Sequence, residues 1–292
     1  MIRRERAEHL LSVQNRLGEG PRWNAAEGRL YWVDIESNLF YRYDPATGQQ
    51  ERFDTGMPVG VLAFREAGGL IMATRDGFAT WDTRSGTMTH IADVELDKVA
   101  SRFNDGGVDP AGRFWAGTLT HDNTASSSLY RLDPDGSVHT METGVGISNG
   151  IGWSPNGKTM YYTDTPRRVI YAYDFDVLAG AISNRRIFVQ VAREVGAPDG
   201  LTVDAEGYVW SAHWGGSRVT RYDPHGQVER VVELPVSQIT SCVFGGPNLT
   251  DLYITSAWSE MSDEQRAREP MAGDLFVLHT DIKGQEEPQF KG

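Results

Sequence analysis

The sequence predicts an all-β protein: a six-bladed β-propeller forming a single domain over residues 1–292 around a central channel. Three observations carry this. Short runs rich in aromatic and β-branched residues alternate with Gly and Pro turns along the whole chain. A strand-turn-strand-turn-strand pattern is written six times. The apolar anchors of its second strands, Leu30, Leu70, Phe114, Met160, Val209 and Leu252, fall 40 to 49 residues apart, the length of a four-stranded blade. A length of 292 residues would also suit two average domains, but a closed ring of repeats leaves no boundary at which to divide it.

The first copy runs from Glu19-Gly20-Pro21-Arg22-Trp23-Asn24 through Leu30-Tyr31-Trp32-Val33-Asp34 to Leu39-Phe40-Tyr41-Arg42-Tyr43-Asp44. The second starts near Val59-Gly60, the third at Asn104, the fourth at Asn149, the fifth at Asp199 and the sixth near Ser241. Three strands per copy are plain, and the segments between copies, such as 49–54 and 228–234, supply a fourth. A ring removes the exposed edges that isolated sheets would present, and residues 10–13 are the candidate strand that closes it. Two insertions, a polar one at 120–128 and a charged, helix-compatible one at 259–273, both follow second strands and are expected at the same end of the ring.

A formal charge of −12 without a Lys/Arg cluster argues against nucleic acid or an anionic membrane as partner. No apolar run reaches membrane-spanning length, and residues 10–13 are too few for a signal-peptide core. One cysteine, Cys242, permits no internal disulfide and fits a reducing compartment, so a cytoplasmic protein, monomeric or a small homo-oligomer, is expected. Asn248-Leu249-Thr250 matches the glycosylation pattern but reads as a turn.

Aligning the copies on their first turn, at Asn24, Asp109, Ser154 and Asp204, and stepping back five positions brings Glu19, Asn104, Asn149 and Asp199 into one register. First strands line the channel of a propeller, so these four side chains are expected at one height. Two carboxylates facing each other there repel by about 4 kcal/mol at roughly 4 Å with an effective dielectric of about 20. A divalent cation relieves this, with two negative and two neutral oxygen donors. Oxygen ligation favours calcium, magnesium or manganese, with zinc or iron still open. Each Asn-Gly or Asp-Gly alone is also an ordinary turn signal; the shared register is what points to a site.

Competing motifs are weaker. Gly146-Ile147-Ser148-Asn149-Gly150 matches the nucleophile-elbow pattern, but a strand and a Ser-Pro turn follow where a helix is required. The seven histidines are scattered; His213 and His121, near the ends of second strands, are candidates for the channel mouth but suit surface or core positions better. No phosphate loop or dinucleotide fingerprint occurs.

Leu17-Gly18-Glu19-Gly20-Pro21, Arg102-Phe103-Asn104-Asp105-Gly106, Ser148-Asn149-Gly150 and Pro198-Asp199-Gly200, in this order, resemble the gluconolactonase and regucalcin (senescence marker protein) family over residues 19–258. The resemblance implies a propeller with one divalent metal in its channel, hydrolysing sugar lactones. It implies Glu19, Asn149 and Asp199 as metal ligands and Arg102 and Asn104 as substrate contacts, with Asn104 a further ligand in a related organophosphate-hydrolysing propeller. Where the family commonly carries an acidic pair, this chain has His121 and Asp122, which bears on the substrate more than on the reaction. Asp199 is the expected base that activates water, and Arg102 the expected partner of sugar hydroxyls or the developing carboxylate. Organophosphate hydrolysis at the same ring, or metal binding without catalysis, are the alternatives.

Overall fold

A computed structural model describes residues 2–120 and 126–292. Its described residues form six sheets, arranged as the repeat predicts. Blade 1 comprises Gly18–Asn24, Arg29–Asp34, Leu39–Asp44 and Gln49–Asp54. Blades 2 to 5 begin with inner strands Val59–Phe64, Ser101–Val108, Ser148–Trp153 and Ala197–Val203, and each continues as an antiparallel meander. Blade 6 begins at Ile239–Gly245 and ends in a strand from the N-terminal region.

That closing strand is Glu8–Leu11, pairing antiparallel with Leu275–His279, two residues earlier than the predicted 10–13. Its outer edge is half exposed, so its apolar pattern is faint, and pairing rather than hydrophobicity fixes its limits. An unanticipated strand, Arg3–Arg6, lies parallel to Val228–Glu233 on the outer edge of blade 5. Arg230 meets Glu5 at 3.0 Å and Glu233 meets Arg4 at 2.8 Å; charges of this kind protect an edge from further pairing. Insertion 259–273 contains the short helix Asp263–Arg268, closed by a capping box between Ser262 and Gln265.

The core is divided among the six contacts between adjacent blades. Tyr31, Val33 and Phe40 pack on Val59, Leu62 and Met72 between blades 1 and 2, and Trp210 and Val219 pack on Phe244 and Phe276 between blades 5 and 6. Equivalent clusters fill the other four contacts. The repeated turn Asp is the polar anchor of this packing. Asp204 Oδ1 accepts from the backbone of Glu206 and Tyr208, while Oδ2 accepts from Trp210 Nε1 at 2.8 Å and Arg221 Nε at 2.9 Å. Asp109 does the same with Trp115 and Arg113.

The channel has two unlike ends. At the turn end, residues 282–292 cross the ring and bond to every blade: Gly284 to Leu249, Lys283 to Ala205, Gln285 to Trp153, Glu287 to Trp23, Phe290 to Phe64 and Lys291 to Gly112. A cavity of about 380 Å³ lies between this segment and the inner strands, lined by Arg22, Phe64, Trp153 and Gln285 among others. The opposite end, where the insertions emerge, is the end at which the inner strands begin.

Candidate functional site

Each inner strand breaks register near its start: at Glu19/Arg22, Val59/Val61, Phe103/Asp105, Asn149/Ile151, Pro198/Leu201 and Ile239/Ser241. A bulge re-aims the side chains around it, and six bulges at one level turn six strand starts toward a common axis. In blade 6 the skipped residue is Thr240. The Gly following a polar residue is explained by close approach rather than by a turn. A Cβ on Gly200 would lie 2.1 Å from Ser241 Oγ, and one on Gly150 would lie 2.7 Å from the Asp199 carbonyl oxygen. Neighbouring inner strands can converge only because these positions lack a side chain.

Glu19, Asn104, Asn149 and Asp199 are all buried, none more than 5% exposed. Asn104 Nδ2 donates to the Ser148 carbonyl at 2.9 Å and to Asn149 Oδ1 at 3.2 Å, which joins blades 3 and 4 across the ring. Arg102 Nη1 donates to Asn104 Oδ1 at 2.8 Å and to the Phe103 carbonyl at 3.0 Å. Among the described residues no carboxylate is in ion-pair contact with Arg102, although Glu36 and Glu19 interact with its charge. His121 and Asp122 lie outside the described residues.

The electrostatics are those of crowded, buried carboxylates. Burial, then Asp105, pushes Glu19 up to about 8 against the opposing Gly20 N–H, Arg102 and Arg22. Burial, then Glu19 and Asp105, raises Asp199 well above the carboxylate range. Burial also pulls the Arg102 guanidinium down to about 10, with Glu36 and Glu19 opposing. One oxygen of Asp199, Oδ1, is buried without a hydrogen-bond partner. An unpaired buried carboxylate oxygen is costly unless a proton or a cation satisfies it.

The two carboxylates, one with an unpartnered oxygen, and the two amides are hard oxygen groups of the kind that suits a divalent cation. Among the described residues no three His, Cys, Asp or Glu side chains are placed to share an ion, so amide oxygen has to complete any coordination here.

Asp105 was not singled out by the repeat. It is 4% exposed, accepts from Gly106 N at 2.7 Å and lies 4.0 Å from Arg22 Nη2. Its signal in the sequence is only that it follows Asn104. His213 is fully buried, with Nδ1 at 2.8 Å from the Val195 carbonyl and Nε2 at 3.3 Å from Tyr222 Oη, and burial lowers it to about 4. It is a core residue and does not line the mouth. Ser148 opens an inner strand and its Oγ accepts from Tyr162 Oη at 2.7 Å, so the nucleophile elbow is not formed.

Residues 17–258 match the family described as the SMP-30/Gluconolactonase/LRE-like region. The chain is 37% identical to regucalcin of Xenopus laevis over 98% of both chains, and 41% identical to a pentonolactonase of Haloferax volcanii over 94% of both. Its fold superposes on the crystal structure of a calcium-binding protein, regucalcin, from Agrobacterium tumefaciens with a TM-score of 0.96 and 30% identity, covering 100% of this chain and 99% of that one. The chain therefore belongs to the SMP-30/gluconolactonase/LRE-like family, as its four motifs predicted.

Proposed function

We propose that this protein is a divalent-metal-dependent lactonase that opens a sugar-acid lactone, an aldonolactone such as gluconolactone or a pentonolactone, to the free aldonic acid. The observation that carries the reading is the unpartnered Asp199 Oδ1 within a buried ring of oxygen donors, in a chain of this family. The pentonolactonase of Haloferax volcanii supports a sugar lactone as substrate, and the calcium-binding relative from Agrobacterium tumefaciens supports calcium ahead of magnesium, manganese, zinc or iron.

Glu19, Asn149 and Asp199 would hold the ion. When bound, such an ion supplies Lewis acidity toward a carbonyl oxygen and balances the two carboxylates. Asp199 then takes a proton from water, whose oxygen attacks the lactone carbonyl carbon. As the ring C–O bond breaks, the proton passes to the departing alcohol oxygen, and the new carboxylic acid releases the second water proton to solvent, leaving a carboxylate and a hydroxyl. Arg102 directs donors to substrate hydroxyls or to the new carboxylate, while one of them holds Asn104 in place. His121 and Asp122 are proposed to contact the sugar from the mouth. The buried, unbridged Cys242 supports a cytoplasmic setting.

The test is a panel of hexono- and pentonolactones assayed beside phosphotriesters, with chelator and with metal restored. Metal-dependent opening of an aldonolactone supports the reading. Turnover of phosphotriesters alone moves the assignment to the alternative hydrolase, and tight metal binding with no turnover makes this a binding propeller.

A further inference from the structure

We propose that Thr165 is a positioning residue that decides which atom of Asn149 faces the channel ion. The inference rests on the reading of Asn149 and Asp199 as metal ligands. Thr165 follows the second strand of blade 4, Thr159–Asp164, and its Oγ1 lies 2.8 Å from the Pro198 carbonyl oxygen and 2.9 Å from Asn149 Nδ2. A carbonyl oxygen only accepts, so the single hydroxyl proton of Thr165 is committed to Pro198. Toward Asn149 the hydroxyl can then only accept. That requires the NH₂ of Asn149 on this side and turns its Oδ1 the other way.

The far side of the same amide obeys the same logic. Asn149 Oδ1 accepts from Asn104 Nδ2 at 3.2 Å, and Asn104 Oδ1 accepts from Arg102 Nη1 at 2.8 Å. A guanidinium only donates. The chain from Arg102 through Asn104, Asn149 and Thr165 to Pro198 thus has a fixed donor at one end and a fixed acceptor at the other, so every link between runs in one direction. Neither amide can flip without breaking bonds on both sides. The chain crosses from blade 3 to blade 5 and ends on the residue before Asp199. Thr165 is its one hydroxyl, and it joins the strand carrying Asn149 to the strand carrying Asp199.

Without that hydroxyl, the Asn149 amide loses one of the two partners that tell oxygen from nitrogen, keeping only the 3.2 Å bond from Asn104 Nδ2, and the NH₂ group can turn toward the cation more readily. Partners that orient a ligand in this way are typically worth about 10- to 100-fold in metal affinity. The experiment is calorimetric titration of calcium into chelator-treated full-length Thr165→Val, Thr165→Ala, Thr165→Ser and Asp199→Asn, with circular dichroism as a check on folding. The expected result is a Kd raised at least about tenfold in Thr165→Val and Thr165→Ala, and restored to within about threefold of wild type in Thr165→Ser. The two hydroxyl-free variants differ in bulk, so either alone decides the matter if the other does not fold. Wild-type affinity in a folded hydroxyl-free variant, with binding lost in Asp199→Asn, overturns this inference alone. Wild-type affinity in Asp199→Asn overturns the reading beneath it.

Discussion

Arg22 Nη1 lies 2.8 Å from Glu287 Oε1, which ties the segment crossing the turn end of the channel to the strand that carries Glu19. The other end of the same guanidinium donates to the Gly106 carbonyl and lies 4.0 Å from Asp105, so one cation serves a buried carboxylate of the channel and a carboxylate of the terminal segment. Removing it strands Asp105 in a site already crowded with negative charge. Arg22→Met is expected to lose about 3 kcal/mol of unfolding free energy by urea titration, the low end for breaking a buried pair by removing one partner. Wild-type stability in this variant would show that Asp105 does not depend on Arg22.

Three buried carboxylates, Glu19, Asp105 and Asp199, are raised by burial and give the chelated protein a distinctive pH dependence. Burial lifts Glu19 to about 8 and Asp199 in the same direction, whereas unfolded carboxylates titrate at roughly 4. Between these values the folded chain binds more protons than the unfolded one, so its stability falls as pH rises. The melting temperature in chelator is expected to decline from pH about 4 to pH about 8, the window set by those two values, and calcium is expected to reverse the decline at its upper end. A flat or rising profile in chelator would contradict the burial of uncompensated acids at this ring.

The turn aspartates are expected to matter to the scaffold and not to the ion. Asp204 is fully buried and lies 2.8 Å from Arg221 Nη2 as well as bonding to Trp210. Asp204→Ala should cost about 3 kcal/mol in chemical denaturation while leaving calcium affinity within about twofold of wild type. A large loss of affinity would mean that the turn end communicates with the ring.

Arg102 is the charged side chain at the ring that holds an amide rather than a carboxylate. Arg102→Gln should raise KM for the aldonolactone about tenfold, close to 1.4 kcal/mol of binding, with a smaller effect on kcat in initial-rate kinetics. An unchanged KM would remove Arg102 from substrate binding.

The scaffold was legible because each blade repeats its own turn chemistry: Asn24, Asp109, Ser154 and Asp204 mark the first turns, and apolar second strands follow at even spacing. The same register predicts one height for Glu19, Asn104, Asn149 and Asp199, and all four are buried. What stayed hidden lies outside the repeat. Arg3–Arg6 is wholly charged and gains strand structure only from its neighbour in blade 5. Residues 282–292 have no strand pattern, and their crossing of the channel depends on bonds to all six blades. Asp105 and Thr165 are defined by what stands opposite them in three dimensions. Asn-Gly and Asp-Gly were ambiguous for a different reason: the Gly that marks a hairpin in many sequences here permits one inner strand to approach the next.

The most direct test of metal-dependent catalysis at Asp199 is a calcium titration of chelated protein during gluconolactone opening, followed by pH-stat. Metal-dependent lactone opening through Asp199 requires no rate above the uncatalysed one in chelator, full rate on binding of one ion per chain, and neither binding nor turnover in Asp199→Ala. Full activity in chelator, or near-normal activity in Asp199→Ala, would contradict it.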